Sequence, residues 1–228
     1  MNKNLGNIVV HIPAREGSKR IKNKNLKKIN NKYLISYTIE KAISIFKKTN
    51  IFVNSDSKKI LKIAKSYGIN TYKRKKKYAD DKTQGDDFTY DFIQNINCDT
   101  LIMLNPVCPL LKKNEIKKAI SIFKEKNCDT LISCTSTKMQ CFYDNKAINI
   151  NINKPLGPSQ KNKDVHTLNW AISIWNTRKF IINYKKNKNA YLGRNRFLFS
   201  IENLSGIKIS NLEDLKFVKK IISSHNHQ

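Results

Sequence analysis

Residues 7–13 read NIVVHIP, a run of mostly β-branched apolar residues that ends at a proline and leads into the polar loop AREGSKRIKNKN of residues 14–25. Such a short apolar run predicts a buried strand. Similar runs follow along the chain, and apolar positions at helical spacing lie between them. The further predicted strands are Ile51–Asn54, Ile69–Tyr72, Thr100–Leu104 and Thr130–Cys134. This alternation predicts a three-layer α/β fold with a mainly parallel sheet and helices on both faces.

The α/β alternation stops after Cys134. Residues 135–168 are largely polar and rich in Asn and Lys, and they include the alternating piece 147–152, which predicts an antiparallel arm. Sheet-like sequence returns beyond the arm, and a last helix is predicted with Ser210 as its cap. These later elements are the strands Leu168–Trp175, Phe197–Ile201 and Ile207–Ile209 and the helix Asn211–Ser223. The length of 228 residues suits a single domain, 1–228, that carries this arm.

The formal charge of +27 raises the question of a nucleic-acid partner, because clustered cations release counterions from phosphate backbones. However, 38 of the 44 cations are Lys and the chain also holds 29 Asn, which is the joint excess expected from a coding bias toward A-rich codons. The cations are spread over nearly all polar segments, with one dense run at 73–77. A basic nucleic-acid-binding module is therefore only a remote alternative.

Composition also bears on compartment and cofactors. No apolar run approaches the roughly 20 residues that a membrane span needs, so we expect a cytoplasmic protein with no membrane partner. The five cysteines are widely spaced without a CxxC pair, and the chain has four His. Reduced thiols in the core are therefore expected rather than disulfides or a zinc site.

The loop after the first predicted strand is the strongest candidate site. Ligands of open parallel sheets bind beyond the carboxyl ends of the strands. Residues 15–25 combine one Gly, one Ser and several cations, which suits a polyphosphate held by backbone N–H groups and basic side chains. The loop matches neither GxGxxG nor GxxxxGK[ST]. By composition alone, a merely solvated basic loop is nearly as good an interpretation.

The string IPAREGSKRIKNKNL of residues 12–26 resembles the signature of the cytidylyltransferases that activate sialic acid and related nine-carbon 2-keto acids. Weaker matches follow in the family's order over nearly the whole chain. They are ISYTI at 35–39, VNSDS at 53–57, Arg74 with YADD at 78–81, LNPVCPL at 104–110 and NWAI at 169–172. The chain thus looks like a divergent member of the acylneuraminate cytidylyltransferases.

This resemblance implies a Rossmann-like nucleotidyltransferase fold and an enzyme that makes a CMP-sugar and pyrophosphate from CTP and an acidic 2-keto sugar, for surface glycan synthesis. It also implies Mg²⁺ as cofactor and a homodimer joined through the arm 135–168. By the same resemblance, Arg15, Lys19 and Lys24 serve catalysis. The nucleotide-binding residues would be Ala14, Arg15, Gly17, Ser18, Lys24, Asn25, Arg74 and Asn105. The sugar-binding residues would be Asn105, Gln160, Asn169 and Trp170.

The sequence departs from the family pattern where that pattern has two metal-binding aspartates. Lys208 and Ser210 occupy those positions, so the metal ligands are unknown and either Lys208 neutralises phosphate or Mg²⁺ arrives bound to CTP. Two alternatives therefore stay open, a related sugar nucleotidyltransferase and a copy that binds nucleotide without catalysis. Asp80 and Asp81 are expected to cap the following helix, with a direct catalytic or metal role the less favoured interpretation.

Overall fold

A computed structural model describes residues 4–224. Its centre is a seven-stranded sheet in the order β11-β7-β10-β6-β1-β4-β5, in which β10 is antiparallel to both neighbours and the other pairs are parallel. The strands of this sheet are β1 Ile8–Pro13, β4 Ile51–Ser55, β5 Asn70–Lys73, β6 Thr100–Leu104, β7 Thr130–Thr137, β10 Val165–Asn176 and β11 Arg196–Ser200. Two small hairpins complete the strands, β2 Lys28–Ile29 with β3 Lys32–Tyr33 and β8 Phe142–Tyr143 with β9 Lys146–Ala147.

In the described part of the chain, six α-helices cover the sheet on both sides, as the alternation predicts. Apolar residues of α1, α2, α4 and α6 join the core on one face, and those of α3 and α5 join a second core on the other. The helices are α1 Leu34–Ile43, α2 Lys58–Ser66, α3 Gly85–Asn95, α4 Lys113–Lys126, α5 Thr177–Asn187 and α6 Leu212–Ser224. Within residues 4–224, no helix is long and apolar enough to cross a membrane.

The first strand shows why the fold has two cores. Val10 and Ile12 point into the larger core, whereas Val9 contributes to the smaller one. His11 faces the same side as Val9 and stacks on Phe92 of α3 with ring centroids 4.4 Å apart. Because side chains alternate across a strand, a central strand covered on both faces must be apolar nearly throughout. The predicted α/β fold class is confirmed.

The arm differs in detail from the prediction. β7 and β10 extend beyond the sheet as an antiparallel pair in which Val165 lies opposite Thr137. The hairpin beyond them turns at Asp144 and Asn145, whose φ values of 45° and 62° suit a tight two-residue turn. We expected the alternating piece 147–152 to form this antiparallel structure. The strands of the hairpin instead lie before most of that piece, and residues 148–152 contain no strand.

Two predictions near the carboxyl end need correction, and one helix was not predicted. Ile207–Ile209 is not a strand; two backbone bonds hold it, from Ile209 N to Val107 O at 2.9 Å and from Ile207 N to Leu204 O at 3.2 Å. The last helix is capped by Asn211 rather than Ser210, since Asn211 Oδ1 accepts from Asp214 N at 2.8 Å and Asp214 Oδ2 accepts from Asn211 N at 3.0 Å. Helix α5 was not expected, although Asn176 caps it by accepting from Lys179 N at 3.0 Å.

Candidate functional site

A pocket of about 440 Å³ opens at the carboxyl ends of β1 and β6. The chain leaves β1 toward β4 and β5 on one side and later returns to place β6 on the other side. Ligands of doubly wound sheets bind in the crevice at this kind of switch point. The lining brings together seven of the predicted site residues, namely Arg15, Ser18, Lys24, Asn25, Arg74, Asn105 and Trp170.

The loop after β1 carries Arg15 at the rim of the pocket. Its guanidinium donates to Asp80 O at 2.7 Å and pairs with the Asp81 carboxylate at 2.7 Å. Lys19, which does not line the pocket, also pairs with Asp81 at 3.0 Å. The Lys19 ammonium, with a smaller contribution from Arg15, holds the pKa of Asp81 below its usual range. Asp81 is thus an ion-pair partner of two residues predicted to serve catalysis rather than a helix cap.

Lys24 lies deeper and forms the centre of a cationic cluster with Arg20 and Lys208. Burial, followed by the charges of Arg20 and Lys208, lowers the pKa of Lys24. The Lys24 ammonium donates to Ile209 O at 2.8 Å, and Ile209 in turn is bound through its N–H to Val107 O. The loops after β1 and β6 and the segment around Lys208 are thereby joined, which brings three positive charges to one side of the pocket.

Arg74 follows β5 and is 5% exposed. Its Nε donates to Asn54 Oδ1 at 2.8 Å, one terminal nitrogen donates to Asn54 O at 3.1 Å, and the guanidinium lies 4.3 Å from the ring centroid of Phe88. Burial lowers the pKa of Arg74 to about 10. No acidic side chain of residues 4–224 forms an ion pair with it, so the pocket contains a buried cation in need of an anion.

Trp170 and Tyr191 form the aromatic wall. Trp170 lies in the irregular stretch of β10 between Leu168 and Ser173 and adopts a φ of 59°. This left-handed conformation is costly for a bulky residue. The rings of Trp170 and Tyr191 are tilted with centroids 5.6 Å apart, and Asn105 lies beside this wall because its N–H donates to Ala171 O at 3.0 Å.

The remaining predicted residues lie outside the pocket lining. Ala14 is buried in the larger core, while Gly17 is in open space on the loop. Asn169 is 8% exposed and braces the irregular part of β10, since its Oδ1 accepts from Ser133 Oγ at 2.6 Å. Gln160 is exposed on the arm, where its carbonyl accepts from Lys138 Nζ at 3.0 Å. The structure therefore does not bring Gln160 to Trp170 within one chain.

The residues present do not fit a magnesium ion held by the protein. Mg²⁺ prefers carboxylate and other oxygen ligands. The pocket lining contains no Asp or Glu, and Lys208 is part of it. Across the described part of the chain, no group of three or more His, Cys, Asp or Glu side chains could hold a metal ion.

Several lining residues were absent from the predicted site. Arg20 lies in the same loop as Arg15, so its sequence position gave a signal. No sequence signal pointed to Phe88, Met103 and Tyr191, because their place in the pocket depends on packing between distant elements. Tyr191 reaches the pocket across Gly85, where an added Cβ would lie 2.5 Å from the ring. Its hydroxyl is 3.0 Å from Thr89 Oγ1, which fixes the ring in place.

Comparison with known proteins agrees with this architecture. A family model described as Cytidylyltransferase matches residues 9–221. Post-translational flagellin modification protein B of Campylobacter coli is 27% identical over 238 residues, covering 98% of this chain and 98% of that protein. A pseudaminic acid cytidylyltransferase of Campylobacter jejuni is 33% identical over 144 residues, 59% of this chain, and the match spans 62% of that relative. A solved CMP:2-keto-3-deoxy-manno-octonic acid synthetase complexed with CTP shares the fold, with a TM-score of 0.70 at 16% identity over 96% of this chain and 99% of that one.

Proposed function

Because the chain belongs to the cytidylyltransferase family, which confirms the resemblance seen in its motifs, we propose that it transfers CMP from CTP to a sialic-acid-like 2-keto sugar acid. In this reaction the anomeric hydroxyl oxygen of the acid bonds to the α-phosphorus of CTP. The bond from that phosphorus to the oxygen shared with the β-phosphorus breaks, pyrophosphate leaves, and the hydroxyl proton passes to water. The protein must hold two anions together and neutralise the leaving group.

The charge of the pocket carries this proposal. Five cationic side chains line it, and none of its lining residues is acidic. They are Arg15, Arg20, Lys24, Arg74 and Lys208. A nucleoside triphosphate and a sugar acid are both anionic, so a cavity with five cations in its lining lowers the free energy of bringing them together. A volume of about 440 Å³ is within the range of pockets that take small ligands.

The proposed roles follow from depth in the pocket. Arg15 at the rim and Lys24 inside bind phosphate oxygens, with Arg15 leaving Asp81 when CTP enters. Buried Arg74 contacts the nucleotide, as does Asn25, whose Oδ1 is buried without a hydrogen-bond partner and can accept from a ribose or base donor. Asn105 and Trp170 lie where nucleotide and sugar would meet. Since no carboxylate lines the pocket, the cations of the chain take the task of neutralising pyrophosphate.

The class of acceptor rests on the relatives. One carries a name that refers to flagellin modification and another is named for pseudaminic acid. We therefore place the acceptor among nine-carbon 2-keto acids and the product among the donors for surface glycans.

The arm supports a homodimer as the working form. Large apolar side chains of the arm are more than half exposed in the single chain. They are Met139, Phe142, Tyr143, Ile148, Ile152 and Leu156. Exposed apolar side chains concentrated in one segment are typical of an interface.

Sedimentation equilibrium tests the homodimer directly. A mass of twice 26.5 kDa is expected for the wild type, and a monomer is expected for Phe142→Ser with Tyr143→Ser. A wild-type monomer at high micromolar concentration would refute the dimer.

Pyrophosphate release tests the reaction. The enzyme is incubated with CTP, Mg²⁺ and one acid at a time from N-acetylneuraminate, legionaminate, pseudaminate, the deaminated nine-carbon acid and eight-carbon Kdo. We expect release with at least one nine-carbon acid, with loss of turnover in Arg15→Ala and no loss in Arg178→Ala, which lies outside the pocket lining. Release with eight-carbon Kdo alone would favour a related sugar nucleotidyltransferase, and CTP binding without release would favour a non-catalytic copy.

A further inference from the structure

The pocket has an excess of positive charge on the side where Lys208 lies. Lys24, Arg20 and Lys208 all line this side of the pocket, and the pKa of Lys24 is lowered first by its burial and then by the charges of Arg20 and Lys208. No acidic side chain of residues 4–224 forms an ion pair with Lys208. Three cations held together without a counterion destabilise the free protein, so this arrangement favours a multiply charged anion as ligand.

The backbone is fixed on both sides of Lys208, and on the amino side the N–H of Ile207 donates to Leu204 O at 3.2 Å. On the far side of Ile209, the N–H of Ser210 donates to Asp214 Oδ2 at 2.7 Å in the cap of α6. Ile209 itself binds the loop after β6 through Val107 O and the loop after β1 through Lys24 Nζ. The Lys208 side chain remains exposed and lines the pocket. Its ammonium can therefore reach a bound polyphosphate without any rearrangement of the chain.

We propose that Lys208 supplies, from the protein, the positive charge that a bound divalent cation would otherwise bring to the β- and γ-phosphates of CTP. This inference rests on the proposed function, since it assumes that CTP is the ligand. An ammonium cannot be a ligand of Mg²⁺, and its charge repels a cation held beside it, so Lys208 works against a metal ion bound by the protein at this position. The chain should accordingly bind metal-free CTP, and Lys208 becomes a contact to the pyrophosphate that leaves.

Titration calorimetry of CTP in EDTA and in Mg²⁺ tests this inference without any sugar acid present. For the wild type we expect dissociation constants within about threefold of each other in the two buffers. In Lys208→Met, affinity should fall at least tenfold in EDTA and by a smaller factor in Mg²⁺, because the metal restores part of the missing charge. Lys117→Met, which removes an exposed cation of α4 outside the pocket lining, should match the wild type in both buffers.

A double variant provides a second, independent test. Lys208→Asp with Ser210→Asp places two carboxylates where the ammonium and a hydroxyl were, so its CTP binding should require Mg²⁺. The thermal transition of each variant, measured without ligand, shows whether it is folded. Wild-type binding that appears only with Mg²⁺, or an unchanged affinity of folded Lys208→Met in EDTA, would overturn the inference. Absence of CTP binding by the wild type in both buffers would instead remove the proposed function itself.

Discussion

The substitution Arg74→Met tests whether the Arg74 guanidinium serves ligand binding or the stability of the fold. The wild-type guanidinium makes two hydrogen bonds to Asn54, at 2.8 and 3.1 Å, and lies 4.3 Å from the centroid of the Phe88 ring. Charge-assisted bonds are worth about 1.5 to 3 kcal/mol each and an aromatic contact about 1 kcal/mol, so roughly 4 to 7 kcal/mol of contacts disappear. Against this loss, the variant no longer buries a cation, a burial that costs several kcal/mol.

The two opposing terms nearly cancel, so we expect the free energy of unfolding to change by no more than about 2 kcal/mol. For a chain of this size that corresponds to a shift of at most about 8 °C in the thermal transition. Binding should change far more, because the ligand loses a charge-assisted hydrogen bond of about 1.5 to 3 kcal/mol with nothing in return, a factor of about 10 to 150 in the dissociation constant.

Calorimetric titration with CTP and a thermal melt without ligand measure the two effects on the same samples. Arg194→Met is the matched control, since Arg194 is exposed and outside the pocket lining, and it should leave both quantities unchanged. A variant that melts more than about 15 °C lower would show that the hydrogen bonds to Asn54 outweigh the burial cost. Undiminished CTP affinity in a folded variant would equally refute the assignment of Arg74 to nucleotide binding.

Three further predictions concern the surroundings of the pocket. Asp81→Asn frees Arg15 from its ion pair and should raise CTP affinity in low-salt calorimetry; a decrease would mean that the pair positions Arg15 for binding. Trp170→Gly removes the strain of a left-handed backbone, which costs about 1 to 2 kcal/mol, and this gain offsets the lost packing of the ring. The melting temperature should therefore move little while the KM for the acid changes. An unaltered KM would contradict a place for Trp170 in the acceptor site. Burial lowers the pKa of His11 well below its usual range, so the neutral form stabilises the fold above about pH 6.5. From there to about pH 5, the free energy of unfolding should fall by up to about 1.4 kcal/mol per pH unit, and His11→Gln should flatten that slope.

Sequence reasoning predicted the parts of the fold that depend on local periodicity. The strand at residues 7–13 and the helices between the predicted strands up to Thr130–Cys134 follow from local patterns, and they formed in the predicted alternation. Sequence reasoning failed where contacts with segments distant in sequence decide the local structure. Ile207–Ile209 alternates like a strand, but its backbone joins two loops instead of a sheet edge, and no local pattern distinguishes these cases.

The candidate site was predictable to the extent that strand ends define it. Arg15, Ser18, Lys24 and Asn25 follow the first strand, and they line the pocket because the topology places that strand at the switch point. Asp81 could not be assigned from sequence, because its ion pairs with Arg15 and Lys19 depend on how two loops meet. Residues such as Tyr191 reach the pocket only through the packing of α3 against the segment that follows α5.

Arginine, rather than total charge, distinguishes the pocket from the rest of this basic surface. With 44 cations and 17 acidic residues, a patch of several cations without an acid arises readily from composition. The chain has only six arginines, however, and three of them, Arg15, Arg20 and Arg74, are among the 16 residues that line the pocket. A bias toward Lys would replace arginine wherever a point charge suffices. Arginine should persist where a planar, bidentate donor is needed, which is the requirement of phosphate and carboxylate ligands.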